Sequence, residues 1–168
     1  MRRRGGQVDE ATERLRVLAA AVEIATRGEY RPIDQTTVVI DAALGGEAPE
    51  RILANVQHDQ GAKTVSGELL VVGAALVVHV RLAGMHRAGS APARDGEIEA
   101  VAMPRAALRS VALQVPDHDV DDPAALPGDL DIALRYESIP GPLVFTLGYL
   151  GPAERAELLA AFTADLRS

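Results

Sequence analysis

A chain of 168 residues, 48% of them hydrophobic, can bury an ordinary core without a covalent staple. It contains no cysteine, which excludes disulfides, thiolate nucleophiles and cysteine-based zinc sites and suits a reducing compartment. The net charge of −7 argues against nucleic acid, which needs a concentrated basic face, and against an anionic membrane surface as the main partner.

Arg2, Arg3 and Arg4 lead into no apolar segment, so they read as a solvated start and not as a signal peptide. The longest apolar run, residues 69–78, is too short to span a bilayer and is interrupted by Gly73. No stable membrane anchoring is expected, and a soluble cytoplasmic protein follows by default.

Residues 8–27 read as a helix. Leu15, Leu18, Val22 and Ala25 fall near helical spacing, with Val8 and Ala11 one and two turns earlier. Asp9 is the candidate N-cap and Gly28 the stop; Glu10 and Glu13 stand early and Arg27 late, as the helix dipole favours. This helix is a candidate for self-association. Residues 32–44 admit two readings. Pro32 and Asp34 suit a second helix burying Val38, Val39 and Ala42, whereas five consecutive β-branched residues, Thr36, Thr37, Val38, Val39 and Ile40, suit a strand. Pro49 then suits the first turn of a short helix through Val56, with Ile52, Leu53 and Val56 on one face.

From Gly61 the period changes to two. Residues 69–72 and 74–82 predict strands, with Leu76, Val78, Val80 and Leu82 in one row and Val77, His79 and Arg81 in the other. Gly67 is expected in a turn and Gly73 in a bend or bulge. Residues 84–96 read as a mobile loop, 97–103 as a strand, 108–115 as another entered after Pro104, and 116–128 as an acidic, proline-containing loop. Leu130, Ile132, Leu134 and Tyr136 alternate with Asp131, Ala133 and Arg135. Leu143, Phe145, Leu147 and Tyr149 repeat the pattern beyond a Gly-, Pro- and Ser-containing turn, which predicts an antiparallel hairpin. Pro152 opens a closing helix with Glu154 in its first turn. Its stripe of Leu158, Phe162 and Leu166, with Leu159 beside it, must lie on the preceding strands.

Three stretches together, GELLVVGAALVVHV (67–80), EAVAMPRAALRSVALQV (99–115) and DIALRYESIPGPLVFTLGYLGPAERAELLAAF (131–162), resemble the pleckstrin-homology-like fold of bacterial type over about residues 61–168. The resemblance is one of pattern: short antiparallel strands closed by one C-terminal amphipathic helix. It implies an α+β architecture, an antiparallel β-barrel or strongly bent sheet capped by that helix, over residues 58–168. Residues 1–57 form a mainly helical N-terminal extension. Within it, RLRVLAAAVEIATRGE (14–29) resembles helices that precede the nucleotide-binding core of bacterial dynamin-like GTPases. The chain lacks the GxxxxGK(S/T) phosphate cradle, so no GTPase activity is implied.

No motif carries a reaction. His79 lies on a strand with Val77 and Arg81. Its imidazole suits a base or a metal ligand, and equally a histidine on the half-covered face of a sheet. His86 stands seven residues later without a carboxylate at ligand spacing. Asp117, His118, Asp119, Asp121 and Asp122 form the densest acidic cluster. A calcium loop counted from Asp117 needs Gly and Glu where Asp122 and Gly128 stand, so it reads as a solvated loop. Ser66, Ser90, Ser110 and Ser138 lack the GxSxG elbow. Arg81, Arg87 and Arg94 lie in or beside the 84–96 connection with His86. Lys63 is the only lysine, which is too little charge for a phosphoinositide headgroup. No cofactor and no metal are expected.

These observations predict a non-catalytic protein-interaction or scaffold module. It would bind a protein partner, or itself, by packing or strand addition at a sheet edge or a helix–sheet groove. His79, Arg81 and Arg135 are the candidate binding residues, as polar members of otherwise apolar strands. The alternatives are a small enzyme using histidine and carboxylates, or an apolar-ligand binder with a pocket between sheet and helix.

Overall fold

The computed structural model describes residues 4–32, 34–86, 96–114 and 130–168, and for residues 4–9 and 34 the backbone alone. Its order is α1 (Arg4–Ala25), α2 (Asp34–Ala43), β1 (Arg51–Asp59), β2 (Thr64–Val72), β3 (Leu76–His86), β4 (Glu97–Pro104), a 3-10 turn (Arg105–Ala107), β5 (Leu108–Gln114), β6 (Asp131–Tyr136), β7 (Leu143–Thr146) and α3 (Pro152–Asp165). This is the expected α+β class. The strands form a four-stranded antiparallel sheet, β1-β2-β3-β4, and a three-stranded one, β5-β6-β7. Of the two expected forms, barrel or strongly bent sheet, a closed barrel is not seen: among the described residues no ladder joins the two sheets. Pro104, which has no N–H to donate, and the 3-10 turn after it end one ladder before the next begins. The chain clusters into two compact units, Met1–Ala102 and Met103–Ser168.

In the first unit both helices pack on one face of the four-stranded sheet. Leu18 and Val22 from α1, Ile40 and Leu44 from α2 and its end, and Leu69, Val71, Val78, Val80 and Leu82 from the strands form one core. Helix α1 begins at Arg4, so Asp9 is an interior helical residue and not the N-cap. It stops as expected, with the Gly28 N–H donating to the Glu23 carbonyl at 2.8 Å.

The 32–44 ambiguity resolves as a helix. Five β-branched residues each cost a helix at most about 0.7 kcal/mol. Fully burying one Ile or Leu side chain contributes roughly 1.5–3 kcal/mol. Thr36, Ile40 and Leu44, four residues apart, are all buried, and the Thr36 hydroxyl shares a 2.7 Å hydrogen bond with the buried Tyr30 hydroxyl. Arg14 donates two hydrogen bonds, at 2.6 and 3.0 Å, to the Asp41 carboxylate and ties α2 to α1.

The short helix expected from Pro49 to Val56 is instead strand β1. Ile52, Ala54 and Val56 face the core, while Leu53 and Asn55 point the other way, so the segment alternates along a full ladder with β2. Gly73 lies at a bend, as expected, and Gly67, expected in a turn, is not in one. Gly73 sits in the β2–β3 turn, its N–H donating to the Leu76 carbonyl, whereas Gly67 lies within β2. The bulge is in β3: Val65 pairs with Met85 and Gly67 with Leu82, so three steps on β3 answer two on β2. Gly84 takes the left-handed backbone this needs, φ +64, and its N–H donates to Ser66 Oγ at 2.9 Å.

The second unit contains the expected hairpin. Ile132 pairs with Phe145 and Leu134 with Leu143, all four buried. On α3, Leu158 and Phe162 are buried, but Leu166 is 40% exposed. The helix ends at Asp165 and Leu166 is its C-cap, so the stripe stops one turn short of the expected length. The Gly84-to-Gly96 loop falls largely, and the 116–128 loop wholly, outside the described residues, and with them Arg87, Ser90, Arg94 and the Asp117–His118–Asp119–Asp121–Asp122 cluster. Residues Gly84 to His86 still belong to β3.

Candidate functional site

Two surfaces concentrate unusual side chains, one in each unit. In the first, the β2–β3 turn at Gly73 sets a register in which Glu68 lies opposite Arg81 and Leu70 opposite His79. Asn55 on β1 pairs with Glu68, and Arg81 Nε donates at 3.2 Å to Glu99 on β4, its Nη2 forming a closer bond to the same oxygen. A polar row of Asn55, Glu68, Arg81 and Glu99 therefore crosses the sheet face that the helices leave free. His79 stands beside it, next to the buried Leu53, Leu70 and Val77.

His79 Nε2 is 3.5 Å from Glu68 Oε1, at the limit of a hydrogen bond, and the side chain is only 12% exposed. Burial pulls its pKa below the ordinary 6.5, partly opposed by the Glu68 carboxylate. The imidazole is neutral at pH 7, an acceptor or proton carrier beside a carboxylate. Arg81 pairs with Glu99, both side chains largely exposed.

Arg135 is exposed on β6, across from Ser110 of β5, in the second unit and outside this row. His58 lies on β1 with Nδ1 3.8 Å from Glu29, and His86 closes β3 opposite Thr64. Among the described residues no cluster of three or more His, Cys, Asp or Glu side chains could hold a metal ion.

In the second unit, β5 pairs with β6. Among the described residues no strand pairs with its other edge, and the side chains of Arg109, Ser110, Ala112, Leu113 and Gln114 are exposed, Leu113 at 50%. No charge or proline interrupts Ser110 to Gln114, the devices that ordinarily protect an edge strand. Helix α3 packs against β5. Its end is pinned there: Arg105, just before β5, donates from Nε to both Asp165 oxygens, at 3.0 and 2.9 Å, with the two side chains 17% and 12% exposed. Tyr136 lies within the field of this pair, and burial drives its phenol pKa upward, so it stays protonated.

Comparison with protein-family models, curated proteins and solved structures found no match.

Sequence reasoning missed Glu68, Glu99, Arg105 and Asp165. Glu68 was within reach: once the turn is centred between residues 73 and 76, counting back along β2 sets it opposite Arg81. The Arg105–Asp165 pair joins residues 60 positions apart, and no local spacing announces it.

Proposed function

We propose that this chain is a non-catalytic interaction module whose second unit accepts an extended segment of a protein partner along β5. The carrying observation is the edge of β5, uncharged from Ser110 to Gln114 and without a partner strand among the described residues. Backbone N–H and C=O groups of such an edge provide affinity irrespective of sequence, and alternate side chains of the added strand provide specificity. The pleckstrin-homology-like reading belongs to the same proposal. Its support is the order of short antiparallel strands followed by a C-terminal amphipathic helix. A cytoplasmic location accompanies it, from the lack of cysteine.

The test is selection of displayed peptides against the full chain, followed by titration against Leu113→Arg. Selected peptides should share an alternating apolar pattern and lose about tenfold or more in affinity on the variant, as central interface contacts do. Peptides that bind wild type and variant equally would show that β5 is not the site.

The half-buried His79–Glu68 pair favours a second reading, acid–base chemistry on a small molecule. Under it, a turnover found by substrate screening is abolished by His79→Gln and unaffected by Leu113→Arg.

A further inference from the structure

The uncharged stretch of β5, which has no partner strand on its outer edge among the described residues, reads alike from either end. Ser110, Val111, Ala112, Leu113 and Gln114 run polar, aliphatic, small, aliphatic, polar. Val111 lies opposite Leu134 of β6 and Leu113 opposite Ile132, so both point to the face on which Ile132, Leu134 and Tyr136 are buried. Helix α3 covers that face: it packs against β5, and its Asp165 lies near the Tyr136 phenol. The apolar row under α3 is complete at Phe145 and Ile132 and tails off at the edge, where Leu113 is half exposed and Val111 partly so. Ser110, Ala112 and Gln114 point to the other face.

A strand of this symmetry matches its own copy. Turned half a revolution about an axis through Ala112 and normal to the sheet, a second β5 runs antiparallel to the first. Ser110 then stands opposite Gln114, Val111 opposite Leu113, and Ala112 opposite Ala112. Polar side chains meet polar ones on one face. On the other, Val111 of each copy lies against Leu113 of its neighbour and continues the row that α3 covers. Two copies of a charged strand would bring like charges together about the axis. Here the paired stretch has none, and Arg109 stays outside it with Glu137. A slip of two residues would set Arg109 against the apolar Leu113. The contact is isologous and joins two three-stranded sheets into one of twice the width.

We propose that β5 pairs with β5 of a second copy of this chain, antiparallel about Ala112. This rests on the reading of β5 as the interaction site, to which it adds the partner.

Because the chain has no cysteine, the register can be read by oxidative cross-linking. Residues directly opposite in an antiparallel pair lie about 5 Å apart, close enough for a disulfide. Ala112→Cys should therefore link to itself under mild oxidation. Ser110→Cys and Gln114→Cys should link when mixed and not alone, since each stands roughly 13 Å from its own copy. Sedimentation velocity of the unaltered full chain over a concentration series should show a dimer, and Leu113→Arg should shift the series to monomer with an unchanged circular dichroism spectrum. A monomeric wild type, a dimer that Leu113→Arg leaves intact, or Ser110→Cys linking to itself in preference to Gln114→Cys would each overturn the proposal. If displayed peptides still lose affinity on Leu113→Arg, only the choice of partner falls. If they bind both chains equally, the reading of β5 as the site falls with it.

Discussion

At Gly67 a single hydrogen atom decides whether two strands can meet. Its φ is +147, and a Cβ there would stand 2.7 Å from Val56 Cα and closer still to the Asn55 carbonyl oxygen. Both obstacles are backbone of β1 and cannot swing aside. Gly67→Ala is therefore expected to cost roughly 2–4 kcal/mol, read as a lowered denaturant midpoint, because it pushes β1 off β2. His79 makes a prediction about pH. Its folded pKa lies below the unfolded value of 6.5, so between the two the unfolded chain takes up more protons. The stability His79 contributes is complete above pH 6.5 and is lost as pH falls through its folded pKa. Denaturant midpoints measured from pH 7.5 to 5 should show that decline, and His79→Gln should flatten it. Both features leave a trace in the sequence: a glycine inside a strand pattern, and a histidine in an apolar row. The sense of each came only with the neighbouring strand.

Among the elements, α3 separates burial from pattern. Leu158, Phe162 and Leu166 share one spacing, yet two are buried and the third is not. Phe162→Ala should lower stability by about 3–5 kcal/mol, while Leu166→Ala should stay within about 0.5 kcal/mol. Thermal unfolding followed by circular dichroism distinguishes them. Equal effects would mean that α3 seats its last turn as well. Its first turn was legible: Pro152 at the start, and the Glu154 carboxylate accepting the Gly151 N–H at 2.8 Å. Helix α2 and strand β1 were the hard cases for opposite reasons. In α2, β-branched residues carry a strand preference that burial of Ile40 and Leu44 overrides. In β1, the apolar residues 52, 53 and 56 fit a helical spacing, and pairing with β2 instead sets Ile52, Ala54 and Val56 in one row and Leu53 in the other.

For the molecule as a whole, charge and strand closure set what it can touch. A net charge of −7, with Arg81 held by Glu99 and Arg109 by Glu137, leaves little to attract phosphate. The chain is expected not to co-sediment with phosphatidylserine or phosphoinositide vesicles at physiological salt; salt-sensitive sedimentation would contradict this. No helix among the described residues is long and apolar enough to cross a membrane. Among the described residues the two sheets share no ladder, and the edge of β5 away from β6 has no partner strand.

Local chemistry, read along the chain, determined the α+β class, the closing hairpin, the helix behind it and the two-row pattern of β3. Each depends on side-chain period, which neighbours in sequence carry by themselves. The polar row around Glu68, the clamp between Arg105 and Asp165, the identity of α2 and β1, and the open edge of β5 were decided by tertiary structure. Each depends on which distant segment lies alongside, and burial and pairing energies between segments outweigh the fractions of a kcal/mol by which single residues prefer one backbone over another.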